Sequence, residues 1–174
     1  MKNTKLTAAI QLAEYAHRGQ VRKYTGEPYI SHSLNVMHIV ATVTDDIDML
    51  AASVMHDVVE DCDVDLKFIY ETFGSRIGAM VDGLTDVSVK SDGNRATRKA
   101  IDRQHTHWQD ADTKTIKLAD LISNAESITD HDPEFARVYM AEKKLLLDVL
   151  TEGDATLYAM AKNIVDSYYG AAED

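Results

Sequence analysis

Two prolines in 174 residues, Pro28 and Pro133, leave the chain free to run helix after helix, because proline is the residue that most reliably ends one. Glycine is also sparse, at eight, and the apolar spacing agrees. Leu6, Ile10, Ala13 and Ala16 recur at helical intervals, with Thr4 and Thr7 as candidate N-caps, so the spacing predicts a first helix ending near Gly19. Pro28 suits the first turn of a helix carrying Ile30, Leu34, Met37, Val40 and Ala41. Asp45 and Asp46 precede another, from about Ile47 to Glu60. Later helices are predicted over Leu66–Phe73, Arg76–Leu84, Asn94–Trp108, Thr113–Ile128, Pro133–Leu150 and Ala155–Tyr168, with Asp86–Gly93 the most loop-like interior stretch. No segment alternates like a strand between hairpin turns. The expectation is one all-α domain, residues 1–174, of about eight or nine helices.

Charge narrows the partners. Eighteen Lys and Arg against twenty-nine Asp and Glu give a net charge of −11, which argues against a generic binder of nucleic acid or anionic membrane. No apolar run approaches the roughly 18 residues of a membrane span, and the N-terminus leads into no signal-peptide core. The single cysteine, Cys62, forbids an intramolecular disulfide and a multi-cysteine zinc site. A cytoplasmic protein is expected, and a homo-oligomer stays compatible with everything in the chain.

Three segments carry candidate chemistry. In Ala51-Ala-Ser-Val-Met-His-Asp-Val-Val-Glu-Asp61, a continuous helix would put Glu60 about 40°, Asp57 about 100° and Asp61 about 140° round from His56. One imidazole and three carboxylates would then share a face, either as a solvated acidic stripe or as ligands for a hard-to-borderline divalent metal. In Thr115-Ile-Lys-Leu-Ala-Asp-Leu-Ile-Ser-Asn124, apolar residues spread almost all the way round, which marks a buried helix. Asp120 within it needs a partner: Lys117, a distant arginine, or a metal. Asn124 lies one turn further along the same side.

The third segment, Ala16 to His32, crowds Arg18, Arg22 and Lys23 into a short polar loop that could grip phosphate oxygens. Arg95, Arg98, Lys99 and Arg103 form a second basic cluster, so seven of eighteen cations fall in two places. Such localised charge on an acidic chain fits a small polyanion, and for the second cluster it fits ordinary ion pairs on a helix face equally. His17, His38, His105, His107 and His131 carry no assigned role beyond surface or core hydrogen bonding, and Tyr24, Tyr29 and Trp108 fit packing, with stacking on a base as the alternative.

The ordered set His32, His56-Asp57, Asp120 resembles the HD superfamily of metal-dependent phosphohydrolases. More narrowly, the chain is similar to the hydrolase domain of RelA/SpoT-type alarmone enzymes and to the small alarmone hydrolases. Ala16-His-Arg-Gly-Gln20 with Arg22-Lys23, Gly26-Glu-Pro-Tyr-Ile30, His56-Asp-Val-Val-Glu-Asp61, Gly83-Leu-Thr-Asp86 and Lys117-Leu-Ala-Asp120 carry the likeness over nearly the whole chain. The resemblance implies that His32, His56, Asp57 and Asp120 bind one metal ion, usually Mn²⁺, and that Glu60 and Asp61 handle the attacking water and its proton. It implies that Arg22 stacks on a nucleotide base, that Lys23 faces the nucleotide, and that Asn124 and Ser127 line its pocket. The implied reaction is hydrolysis of the 3′-pyrophosphate of an alarmone such as (p)ppGpp. Two departures stand out: Leu121 replaces the basic residue usual in the long enzymes, and residues 86–103 match poorly. Adenosine alarmones, other nucleotides including NADPH as a 2′-phosphatase substrate, and a non-catalytic nucleotide-binding module are the alternatives.

Overall fold

The computed structural model describes residues 2–170 of the chain. The protein is all-α, and among the described residues the nearest approach to a sheet is one isolated antiparallel bridge between Val21 and Pro28. Among the described residues, nine helices of eight residues or more and one single turn divide into two compact units that meet in sequence between Thr85 and Asp86.

The first unit holds α1 (Lys2–Ala16), α2 (Ile30–Ala41), α3 (Ile47–Val54), the single turn α4 (Val58–Asp61), α5 (Leu66–Phe73) and α6 (Ser75–Leu84). Its centre is α3, which packs on α1, α2 and α6. Every residue from Met49 to Val54 is buried, each large apolar side chain contributing about 1.5–3 kcal/mol. Asp46 starts this helix by accepting from the Asp48 and Met49 backbone N–H groups at 2.8 and 3.4 Å. The Arg76 guanidinium on α6 bonds the same carboxylate at 2.9 Å and holds its pKa below the ordinary value. Where α5 meets α6, a Cβ on Gly78 would stand 2.6 Å from the Tyr70 ring, so only a glycine lets these helices approach so closely.

Three sequence expectations change here. Thr4 and Thr7 lie inside α1, which begins at Lys2, so they are not its caps. Pro28 precedes α2 by two residues and instead closes the bridge with Val21, while Arg22 N–H donates to Glu27 O at 2.8 Å inside the loop. The helix predicted from Ile47 to Glu60 is broken after Val54. Met55 N–H reaches back only to Ala52 O and Val58 N–H only to Met55 O, both spanning three residues instead of four.

The second unit holds α7 (Arg95–His107), α8 (Ala111–His131), α9 (Pro133–Leu147) and α10 (Ala155–Gly170), with α8, α9 and α10 packed on one another. A short 3-10 turn, Lys90–Asp92, interrupts the predicted loop. Asp110 caps α8 by accepting from Thr113 N–H at 2.8 Å, and Asp132 caps α9, whose first residue is Pro133. The prediction that α8 is buried on most sides holds: Ile116, Leu118, Ala119, Leu121 and Ala125 are all enclosed. Lys114 is buried with them and ion-paired to Glu152. Among the described residues no helix is long and apolar enough to cross a membrane.

Candidate metal centre

The break between α3 and α4 is what makes the site. At a helix end the last carbonyls lose their intrahelical donors. One of them, Ser53 O, is taken by the His56 side chain, whose Nδ1 lies 2.8 Å away. A carbonyl oxygen only accepts, so Nδ1 carries the hydrogen and the neutral ring presents a lone pair at Nε2. That Nε2 is 2.9 Å from Asp57 Oδ2. Two lone-pair-bearing atoms at that distance repel unless a proton or a metal cation lies between them. His32, near the start of α2, brings its Nε2 to 3.7 Å from the same oxygen, and the two imidazoles meet edge to face at 5.1 Å.

His32, His56 and Asp57 can each offer one ligand atom, all within 4.8 Å of one another, and this is the one such group of three found among the described residues. Both histidines are only 3% exposed, and Asp57 is half-buried as the residue preceding α4. Two neutral imidazoles and a carboxylate suit a divalent ion of borderline softness. The ring orientation set by Ser53 O is the kind of outer contact that prepares a histidine to ligate. The residues present therefore fit a divalent metal.

The other expected residues distribute as follows. Glu60 and Asp61 are exposed on α4. Desolvation and the neighbouring Asp57 charge raise the Asp61 pKa above its ordinary value, against the Tyr29 hydrogen bond. Arg22 is half-buried, with its guanidinium carbon 6.0 Å from the Tyr29 ring centroid. Lys23 is exposed and donates to Tyr24 Oη at 3.0 Å. In the second unit, Asp120 is half-buried on α8 and accepts from Asn124 Nδ2 at 2.7 Å, one turn along as the spacing predicted. Ser127 Oγ is buried there, with no hydrogen-bond partner among the described residues.

Much of the second basic cluster answers to ion pairs. Arg95 forms a fork on Glu142 at 2.7 and 2.9 Å, and Lys99 pairs with Asp86 and lies 3.6 Å from Asp102. Lys117, offered above as a partner for Asp120, has its ammonium 4.0 Å from Asp86. Burial pushes the Lys143 ammonium below its ordinary pKa, with Asp120 opposing the change. Sequence reasoning did not bring Tyr29 and His17 to this group, although the hydrogen bonding expected of His17 is present, its Nδ1 lying 2.8 Å from Gln20 Oε1. The Tyr29 hydroxyl donates to Asp57 Oδ2 at 2.7 Å, and the two rings stack with centroids 4.6 Å apart. Their nearness to Arg22 and His32 in sequence was the one available signal.

Comparison with known proteins identifies the family of the chain. The HD domain family model matches residues 9–147. A probable GTP pyrophosphokinase of Mycobacterium leprae (strain TN) is 35% identical over 127 residues, 72% of this chain and 16% of its own length. A guanosine-3′,5′-bis(diphosphate) 3′-pyrophosphohydrolase of Vibrio cholerae is 34% identical over 129 residues, 72% of this chain and 18% of its own. The chain thus spans less than a fifth of these curated relatives. A solved structure of a metazoan ortholog of SpoT that hydrolyses ppGpp superposes with a TM-score of 0.84 at 27% identity, covering 94% of this chain and 95% of that one. The chain belongs to the HD-domain family. Within it, the relatives matched here are RelA/SpoT-type proteins.

Proposed function

We propose that the chain is a Mn²⁺-dependent alarmone hydrolase that removes the 3′-pyrophosphate of a guanosine nucleotide such as (p)ppGpp, with residues 1–174 acting as one HD domain. The observation that carries this reading is the His32, His56 and Asp57 group, with His56 already oriented by Ser53 O at 2.8 Å. The family match across residues 9–147 and the likeness to a ppGpp-hydrolysing protein over 94% of the chain support it. Asp120, at the position that the HD pattern gives the last ligand, completes the proposed set with those three.

A bound divalent ion supplies Lewis acidity, polarising a phosphoryl oxygen and lowering the pKa of water, which for zinc falls from 15.7 to about 7. The remaining work belongs to the chain. Glu60, exposed on α4, accepts the proton of the water that attacks the 3′ phosphorus. The bond from that phosphorus to the 3′ oxygen breaks, and Asp61 helps carry the proton that this oxygen takes up. Arg22 stacks on the base and Lys23 holds phosphate oxygens, since a guanidinium plane and a flexible ammonium suit those tasks respectively. Asn124 fixes Asp120 and, with Ser127, lines the nucleotide pocket.

The test is a product assay on 3′-pyrophosphorylated guanosine and adenosine nucleotides and on NADPH, with and without Mn²⁺. Mn²⁺-dependent release of pyrophosphate and a nucleoside 5′-di- or triphosphate is the expected result. Orthophosphate alone would overturn the reaction, and binding without turnover would make the chain a sensor.

A further inference from the structure

The Tyr29 hydroxyl touches both carboxylates on which the proposed chemistry depends: Asp57 Oδ2 at 2.7 Å and Asp61 Oδ2 at 3.3 Å. We infer that Tyr29 is a positioning residue, setting the spacing between the ligand carboxylate and the proton-handling one, and that His17 and Gln20 hold it in place. The inference rests on the metal-centre reading above.

A phenol has a single proton to donate. The contact to Asp57 has the length of a strong bond to an ionised acceptor, whereas the contact to Asp61 is longer than a full O–H···O bond. Tyr29 therefore anchors Asp57 first and keeps Asp61 beside the same oxygen at the longer distance.

The ring itself is fixed by a frame. His17 stacks on it at 4.6 Å with the planes 26° apart. Gln20 Nε2 donates to the Asp61 carbonyl at 3.1 Å, and a carbonyl only accepts, so the amide nitrogen must face that way. Gln20 Oε1 then faces His17 Nδ1 at 2.8 Å, which puts the ring hydrogen on Nδ1. Tyr29 N–H closes the frame by donating to Gln20 O at 3.0 Å. One glutamine thus ties the tyrosine's support to the end of α4. Outer contacts of this kind are worth about 10–100-fold in metal affinity or activity.

Tyr29→Phe removes only the hydroxyl and keeps both the stack on His17 and the ring beside Arg22. Mn²⁺ affinity of the protein, measured by calorimetry without substrate, should fall about 10–100-fold. Turnover number should fall in the same direction with KM unchanged, and the thermal midpoint of the metal-free protein should change by no more than the loss of one partly buried hydrogen bond. His17→Phe, which keeps a stacked ring and loses the link to Gln20, should weaken Mn²⁺ binding by a smaller factor. Mn²⁺ affinity and turnover equal to wild type in Tyr29→Phe would overturn the inference. A wild-type protein that takes up no Mn²⁺ would instead overturn the metal assignment, and this inference with it.

Discussion

Two acidic clusters in this protein meet opposite fates. In the second unit, Asp86 lies among lysines: Lys99 pairs with it directly and the Lys117 ammonium is 4.0 Å away. Desolvation works against its charge, yet Lys117 and Lys99 outweigh burial and its pKa falls below the ordinary value. Asp102 beside it is tied to the backbone N–H groups of Val87 and Ser88 at 3.2 and 2.9 Å. In the first unit, Asp61 is governed by desolvation, the Asp57 charge, and the Tyr29, His17 and His56 side chains, and its pKa rises. The same residue type goes in opposite directions because lysine charge outweighs desolvation at Asp86, whereas at Asp61 desolvation and the Asp57 charge outweigh the Tyr29, His17 and His56 side chains. An internally neutralised network is built for stability. The proposed role of the other cluster is to receive a cation from solution, with Asp57 beside the Nε2 atoms of His56 and His32.

The sharpest way to break this contrast is Asp57→Ala. It should abolish Mn²⁺ binding and turnover together, and a variant that stays active without metal would dissolve the ligand assignment. Thermal denaturation gives the same answer without substrate. A ligand at 100 times its Kd stabilises the folded state by about 2.7 kcal/mol. Mn²⁺ should therefore raise the wild-type midpoint and leave that of Asp57→Ala where it was.

Glu60→Gln separates holding a metal from using it. The side chain is exposed on α4 and outside the group of three donors. Mn²⁺ affinity should be retained while turnover drops by about 10²–10⁴-fold, the usual worth of general acid–base help. Full activity would move the proton work to Asp61 or to solvent.

The contrast also shows what could be read from the sequence. The burial of α8 was legible because its apolar residues circle the helix, and a circle of apolar side chains has one physical outcome in water. The Asp120–Asn124 contact was legible because four residues make one turn. The break at Met55–Asp57 was not, since the apolar spacing runs on through Val58 and Val59 with no glycine or proline to mark an end. It is accompanied by a side chain taking a backbone acceptor, His56 Nδ1 on Ser53 O, a choice that periodicity does not encode. Tyr29 was read as packing because its hydroxyl partner lies 28 residues away. Arg95 could be an anion ligand or half of an ion pair until Glu142, 47 residues on, was brought to it.

The smallest expected effect falls on the neutralised cluster, and it belongs to stability instead of catalysis. Asp86→Asn keeps the shape of the side chain and removes its charge, weakening its ion pair with Lys99 and its attraction to Lys117. The cost should be about 1–3 kcal/mol, the range for losing one partner of a partly buried polar contact. The sign of its pH dependence follows from the direction of the shift. A carboxylate whose folded pKa lies below the unfolded value of about 3.9 contributes stability above that value and loses it as pH falls through the folded one. The gap between wild type and Asp86→Asn should thus be constant from neutral pH down to about pH 4 and close below it. Taking the difference between the two proteins cancels the titrating groups that do not touch Asp86, Asp61 among them, whose raised pKa acts in the opposite sense. A gap that stays open at low pH would mean that Asp86 stabilises the fold through shape and hydrogen bonding, not through charge, and the contrast between the clusters would lose its electrostatic basis.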